Sequence, residues 1–261
     1  EVLRGAKVSA SAGPVIAKLV DVWATGAQGQ TAVTDVNLEV KRGEIVGIAG
    51  VDGNGQMEFS EILAGVRSAE RGAVELPDQI GFIPADRLGE ALIGSFDLSE
   101  NLTLALVKES AFRLGPLIRW AGVRARAAEA IELFSIRPTS YRTKARHLSG
   151  GNQQKLVVSR EIDRGRDLLV ARNPTRGLDV SAADFVRGEV SQLRLEQNDI
   201  AGFDRRPGIV LISTDLDEIL ALADRVYVMV RGSLLPVGHG DLSREAIGSL
   251  MLSGLAGPNE D

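Results

Sequence analysis

The sequence contains no cysteine. That excludes a disulfide framework, thiol chemistry and a zinc–thiolate site, and it suits a reducing compartment. No uncharged apolar run approaches the roughly 18 residues that a bilayer-crossing helix needs, and there is no internal repeat or low-complexity segment. Positive charge is outweighed: 30 Lys and Arg against 35 Asp and Glu give a formal net charge of −5. A nucleic-acid partner held by bulk electrostatics is therefore not expected. What is present, 44% apolar and 25% charged residues, is the balance of an ordinary globular protein with ample material for a core. The 261 residues amount to one large α/β domain or two small ones. Glycine is in excess, with 29 residues or about 11% of the chain against roughly 7% on average. The first residue is Glu1, not methionine, so the chain is expected to be a piece of a longer polypeptide.

Residues 1–14 are small and polar without periodicity and read as a linker. Short β-like runs from Val15 to about Val40, broken at Gly26–Gly29, predict an antiparallel edge. Ile45-Val46-Gly47-Ile48-Ala49 predicts a buried strand, and Gln56–Ala64 a helix. Short strands follow at Ala73–Leu76 and Ile80–Pro84. Asp97 and Glu100 have the spacing of a capping box opening a helix, and Val123, Ala127, Ala130, Ile131 and Phe134 share one helical face. Residues of about 97–147 thus form a helical insertion. Strand and helix then alternate again: a helix after Ser149, a strand at Leu168–Ala171, a helix near Ala182–Gln192 and a strand at Gly208–Ser213. A helix with Leu216, Ile219, Leu220 and Ala223 on one face precedes a strand pair, Arg225–Val230 and Ser233–Val237. The polar stretch Glu196–Pro207 reads as an enlarged surface loop.

The run Gly50-Val51-Asp52-Gly53-Asn54-Gly55 between strand and helix has the layout of a phosphate-binding loop, in which glycines let amides point inward beside a helix N-terminus. A dinucleotide fingerprint would need glycine where Glu58 stands, and an NTPase loop would need Lys and Ser/Thr where Gln56 and Met57 stand. Two unit charges about 4 Å apart attract by about 4 kcal/mol at an effective dielectric near 20. Exchanging Lys for neutral Gln forfeits a term of that order, and Glu58 adds repulsion. Taken alone, the loop reads equally well as a connector.

Leu148-Ser149-Gly150-Gly151-Asn152-Gln153-Gln154-Lys155 stands about 100 residues further on, behind the helical insertion. A serine hydroxyl and two glycine amides at a helix start can clasp a phosphate; a serine-capped helix after a flexible turn is the bland alternative. This segment resembles the signature sequence of ABC-transporter ATPases. The resemblance runs in order along nearly the whole chain: Ile80–Arg87 resembles the family's Q-loop, Leu168–Asp179 its second acidic motif and D-loop, and Ile212–Glu218 its switch-histidine segment. Gln56 in the loop, the phrase around Pro174–Gly177 and the run Pro84-Ala85-Asp86-Arg87 narrow it to the C-terminal half of duplicated ATPases that drive sugar and nucleoside importers. The non-acidic residues before Pro174 favour the nucleoside branch. The fold implied is an α/β P-loop NTPase core over residues 15–261, with an antiparallel β subdomain and the helical subdomain.

Departures from the family pattern fall on its chemistry. The magnesium-linked acid is Arg172, the water-polarising glutamate is Asn173, the switch histidine is Thr214 and the Q-loop glutamine is Ala85. Asn173 takes no proton, so general-base chemistry in cis is lost, and the isolated domain is expected to be inactive. The loop residues Gly50, Asp52, Gly53, Asn54, Gly55 and Gln56 form a degenerate site holding ATP weakly or not at all. Because the family works as head-to-tail pairs, Ser149, Gly150, Gly151 and Gln153 are expected to act in trans on ATP, with Mg2+ bound only at the partner's site. The resemblance implies a competent N-terminal domain in the same polypeptide, transmembrane permease subunits, indirect contact with a solute-binding protein, and a peripheral place at the cytoplasmic face of the cell membrane. Leu92, Ile93 and Phe96 are candidate contacts to the permease. The other reading is a structural or regulatory module that binds no nucleotide.

Among the remaining polar residues, Asp215 and Glu218 read as a helix cap and dipole partner. His147 could contact nucleotide or pack at its turn, and His239 reads as a surface residue. Arg172 is expected to pair with Glu58, to offer its guanidinium to a phosphate, or to end its strand in solvent.

Overall fold

A computed structural model describes residues 13–106, 110–162, 166–195, 206–238 and 242–253. His239, most of the loop at 196–207 and residues 1–12 of the expected linker lie outside these. The chain divides into two compact units. One comprises the described parts of Glu1–Phe82, Gly165–Asn173 and Glu189–Asp261, and the other those of Ile83–Arg164 and Pro174–Gly188.

In the first unit, β1 (Val15–Thr25) and β2 (Thr31–Lys41) alternate buried and open positions, as strands with one covered face do. They pair antiparallel, and β4 (Arg71–Glu75) joins the other side of β1. Between them in sequence, β3 (Ile45–Ala49) is apolar and buried at every position, the mark of a strand covered on both faces. It leads through the glycine loop into α1 (Gln56–Leu63). The strand β5 (Ile80–Ile83) is the edge of a six-stranded sheet. The rest of that sheet is β8 (Leu168–Arg172), β9 (Gly208–Ser213), β3, β10 (Arg225–Val230) and β11 (Ser233–Pro236). Pairing is parallel from β8 through β9 and β3 to β10, and β11 turns back antiparallel. Phe59, Ile62 and Leu63 of α1 are 0–1% exposed in a core shared with Val46 and Ile48, with Leu168 and Val170, and with Val210 and Ile212. Each such side chain contributes roughly 1.5–3 kcal/mol by burial. The helix α6 (Leu216–Leu222) follows β9, and α7 (Arg244–Ser253) closes the unit.

The second unit contains α2 (Leu98–Leu106), a small hairpin of β6 (Arg113–Leu114) and β7 (Leu117–Ile118), α3 (Trp120–Leu133) and α4 (Gly150–Ile162). The three helices pack on one another, and Leu98 and Leu102 of α2, Val123, Ala127 and Ile131 of α3 and Leu156 of α4 are buried. The capping box forms as expected: Asp97 Oδ1 accepts from Glu100 N at 2.8 Å, and Glu100 Oε2 accepts from Asp97 N at 2.6 Å. Phe134 meets Phe185 edge-to-face at 6.2 Å; Phe185 belongs to α5 (Val180–Leu195), which crosses the boundary between the units. One expectation is corrected here. Leu92 is 4% exposed and part of the core, so it offers nothing to a partner, whereas Ile93 is 40% exposed and Phe96 half-buried.

The fold class read from the sequence is the one observed: an α/β core with a parallel sheet, an antiparallel sheet and a helical unit. The missed elements are β6, β7, α7, a single wide helical turn at Arg87–Ala91 and two tight ones at Ser110–Phe112 and Ala145–His147. A signal for α7 exists in Ser243, whose hydroxyl accepts from Ala246 N at 3.1 Å.

Candidate functional site

In the first unit, the carboxyl ends of β3, β9 and β8 lie side by side, with Ala49 opposite Ser213 and Ile212 opposite Arg172. Open parallel sheets place their sites at this edge. Gly50–Gly55 leaves β3 here, with Gly53 and Gly55 in left-handed conformations at φ 92° and 95°. Gly55 is fixed by space as well, since a Cβ there would fall 1.8 Å from Ala32 O.

Gln56 turns back into this loop. Its Nε2 donates to Val51 O at 2.7 Å, and its Oε1 accepts from Asn54 N at 3.1 Å. The side chain crosses so close to Gly50 that a Cβ there would lie 2.5 Å from Nε2. Only 8% of Gln56 is exposed. A carboxamide carries both donor and acceptor, so it closes the curve that a lysine ammonium, donor only, would leave open. Asn54 anchors the same loop to the β10–β11 turn, accepting from Arg231 N at 2.8 Å through Oδ1 and from Gly232 N at 3.1 Å through its carbonyl. Asp52 is exposed.

Arg172 is 5% exposed, which removes the solvent-facing alternative. The pairing with Glu58 is also corrected: Arg172 Nη1 donates to Ser60 Oγ at 3.1 Å, while Glu58 aims Oε1 at Gly26, 3.0 Å from where a Cβ would stand. Ser60 lies one helical turn into α1, with its hydroxyl between the two elements. Asn173 adopts φ 44°, a left-handed conformation that asparagine tolerates. Its Oδ1 accepts from Thr214 N at 2.9 Å, and its own N donates to Ile212 O at 2.7 Å. These bonds join the ends of β8 and β9. Asp215 caps α6 by accepting from Asp217 N and Glu218 N, as expected. Glu218 does more than expected: it is 1% exposed and accepts from Ser213 Oγ at 2.7 Å.

The residues around the loop do not fit a magnesium–nucleotide. Gln56 occupies the loop's curve, the exposed Met57 after it offers a thioether and no metal-binding hydroxyl, and the buried guanidinium of Arg172 at the end of β8 adds a cation and no acid.

In the second unit, Ser149 stands exposed before α4. Its Oγ accepts from Asn152 Nδ2 at 2.8 Å, and Asn152 Oδ1 in turn accepts from Arg137 N at 2.7 Å. Asn152, which sequence reasoning passed over, therefore orients the hydroxyl; its signal was its place three residues after a capping serine. Gln153 faces inward: it is 7% exposed and its Nε2 donates to Ala145 O and Leu148 O at 3.3 and 3.2 Å. It fastens the turn before α4 and does not stand with Ser149. Gly150 and Gly151 open the helix with their amides beyond the reach of intrahelical partners, and a Cβ on Gly151 would come within 3.0 Å of Ala182 Cβ. His147 is exposed and accepts from Arg146 Nε at 3.2 Å. Ala85 is half-buried in this unit and presents only a methyl group. The outward polar groups, Ser149 Oγ and the first amides of α4, suit an anion.

A family model described as "ABC transporter" matches residues 33–176. The chain is 36% identical over 259 residues to the glucose import ATP-binding protein TsgD13 of Haloferax volcanii, covering 93% of this chain and 46% of that protein. It is 35% identical over 260 residues to the guanosine import ATP-binding protein NupO of Bacillus subtilis, covering 94% and 49%. The chain thus spans about half the length of these curated relatives. Among solved structures, it is similar to the ATP-binding cassette MJ0796 in a dimeric, post-hydrolysis state bound to ADP and Pi. The TM-score is 0.69 at 23% identity, over 84% of this chain and 96% of that one.

Proposed function

Because this chain belongs to the ABC transporter family, we propose that it is an ATP-binding domain of an importer for sugars or nucleosides. In this reading it is the C-terminal of two such domains in one polypeptide. Its own glycine loop is catalytically degenerate, and its segment Ser149–Gly151 completes the ATP site of a competent N-terminal domain. The observation that carries the reading is the contrast between the two glycine segments. In one, the carboxamide of Gln56 takes the loop's own Val51 carbonyl and Asn54 amide. In the other, Ser149 stands exposed with its hydroxyl held by Asn152. The import functions named for the relatives, and the share of their length that this chain spans, support the substrate class and the two-domain arrangement.

The chemistry follows from the residues present. ATP with Mg2+ would be held by the partner domain; this chain contributes a hydroxyl and amides that stabilise charge on the terminal phosphate. Gln153 and Asn152 are positioning residues for that segment. The filled loop favours the form of the reading in which this domain's own loop holds no triphosphate. Phe96, which lines a groove with Glu100, Leu104, Ile118 and Trp120, and the exposed Ile93 are the face offered to the transmembrane permease subunits, and the solute-binding protein acts through those. The domain sits peripherally at the cytoplasmic face of the membrane; no helix among the described residues is long and apolar enough to cross it.

The test is ATP turnover by the full-length polypeptide assembled with its permease. Ser149→Ala is expected to lower kcat by roughly a hundredfold, the scale for losing one preorganised donor. Thr214→Ala, at the place of the family's switch histidine, is expected to leave turnover within about twofold, the scatter of an open surface substitution. The reverse ranking overturns the reading.

A further inference from the structure

Arg87 stands at the opening of α4, and nothing in the reading so far uses it. Its backbone is pinned on both sides. Asp86 ahead of it accepts from Leu88 N and Gly89 N at 3.2 and 2.9 Å, and Leu92 behind it is buried and donates its N to Arg87 O at 2.7 Å. The guanidinium is held by one bond, from Nη1 to Arg176 O at 3.0 Å. Nη2 rests over two glycines, 3.5 Å from where a Cβ would stand on Gly150 and 3.8 Å from that on Gly177. Among the described residues, Nε and Nη2 have no hydrogen-bond acceptor and the guanidinium forms no ion pair. Asp86 Oδ1 accepts from its two amides, and Asp179, whose Oδ2 lies 3.9 Å from where a Cβ would stand on Gly151, accepts from Ala182 N at 2.9 Å through Oδ1.

This is an unfavourable place for a cation. The N-terminal end of a helix carries positive partial charge and repels guanidinium as it attracts anions. A pinned arginine with two donor nitrogens unused, set against that end and beside the exposed Ser149, is an arrangement that an anion stabilises and that water alone does not reward. The guanidinium fork matches phosphate oxygens.

We propose that Arg87 is a phosphate-positioning residue of the composite site to which Ser149–Gly151 contribute, contacting the terminal phosphate of a nucleoside triphosphate held by the partner domain. The inference rests on the function proposed above. Selectivity for triphosphate over diphosphate follows, since ADP lacks the group that Arg87 meets.

The test uses the full-length polypeptide with its permease and compares wild type, Arg87→Gln, Arg87→Lys and Ser149→Ala. Arg87→Gln is expected to raise KM for ATP roughly tenfold or more, the scale of a lost hydrogen bond to a charged group. It changes kcat less and leaves inhibition by ADP unchanged. Arg87→Lys, which keeps the charge, recovers part of the loss. Thermal unfolding of each variant separates this from a weakened turn, which would affect ATP and ADP alike and would not respond to charge. The proposal is overturned if Arg87→Gln keeps the wild-type KM and the wild-type preference for ATP while Ser149→Ala lowers turnover. If Ser149→Ala also changes nothing, the assignment of Ser149–Gly151 fails first, and that of Arg87 with it.

Discussion

Arg172 and Ser60 are joined by a buried hydrogen bond, 3.1 Å from Nη1 to Oγ, and the same hydroxyl donates to Met57 O at 2.7 Å. The end of β8 is thereby tied to the first turn of α1. Ser60 is fully buried and Arg172 nearly so, so water does not replace this bond when one side of it is removed. Ser60→Ala is expected to cost about 1–3 kcal/mol and Arg172→Ala a similar amount or more. Urea unfolding of both singles and the double checks the coupling. A sum of the singles well above the double marks the bond as real, and strict additivity would mark it as absent.

Asn173 and Thr214 link the ends of β8 and β9 through the 2.9 Å bond from Thr214 N. Asn173→Glu returns the side chain that the family uses on water, yet turnover by the full-length polypeptide is expected to stay at the wild-type level. A general base contributes only where the reacting phosphate is held within its reach, and Gln56 still fills the loop. Asn173 also sits at φ 44°, where a longer side chain is less well accommodated. A clear rise in ATPase rate would mean that the loop admits nucleotide.

Much of the architecture was legible because it depends on pattern. The unbroken apolar run of β3, the glycines at φ 92° and 95°, and the shared face of Val123, Ala127, Ala130 and Ile131 each have one physical solution. Side-chain direction was less legible. Gln56 and Gln153 read as site residues, but both carboxamides turn to backbone groups of their own turns, a competition that spacing alone does not reveal. Leu92 and Ile93 are adjacent apolar residues after an irregular turn, where no period says which is buried. Arg172 found a serine hydroxyl because Glu58 faces Gly26, and that follows from the rotation of α1 about its axis.

The capping box at the start of α2 offers a direct check on the helical unit. Asp97 Oδ1 takes Glu100 N at 2.8 Å, and Ser99 Oγ donates to the same oxygen at 2.8 Å. Asp97→Ala is expected to destabilise by about 1 kcal/mol, and Asp97→Ser to recover most of that. Denaturant midpoints measure it. No difference between the Ala and Ser variants would show that the cap does not hold the helix.

Three side chains, Lys18 and Glu39 in the antiparallel sheet and Glu70 just before β4, give stability a pH dependence. Glu39 is held below the ordinary carboxylate value of 4.5 by its hydrogen bond and ion pair with Lys18, directly across the strands. Glu70 is held below it by the Thr25 hydroxyl and amide. Lys18 is raised above 10.5 by Glu39. A depressed carboxylate stabilises the fold above 4.5 and loses that contribution as pH falls through its folded value. A raised lysine stabilises it below 10.5 and loses that as pH rises through its folded value. Glu39→Gln should therefore soften both the acid and the alkaline limbs, and Thr25→Val the acid limb alone. Salt should diminish the first effect and spare the second, because an exposed ion pair is screened. Urea midpoints against pH at low and high salt distinguish these outcomes.

Gln56 offers the sharpest test of the loop. Its carboxamide satisfies Asn54 N and Val51 O together, so a phosphate entering the loop must first displace a side chain that is 8% exposed. Gln56→Ala removes both bonds and frees the amide, but supplies no charge. Gln56→Lys removes them and adds a cation worth up to about 4 kcal/mol at contact with a phosphate, reduced by the nearby carboxylate of Glu58. In the full-length polypeptide, equilibrium binding of a non-hydrolysable ATP analogue is expected to give one tight site in the wild type. A weak second site should appear with Gln56→Ala, and one at least tenfold tighter with Gln56→Lys. Two matched sites in the wild type would mean that the carboxamide swings aside at little cost and that the loop is open in solution.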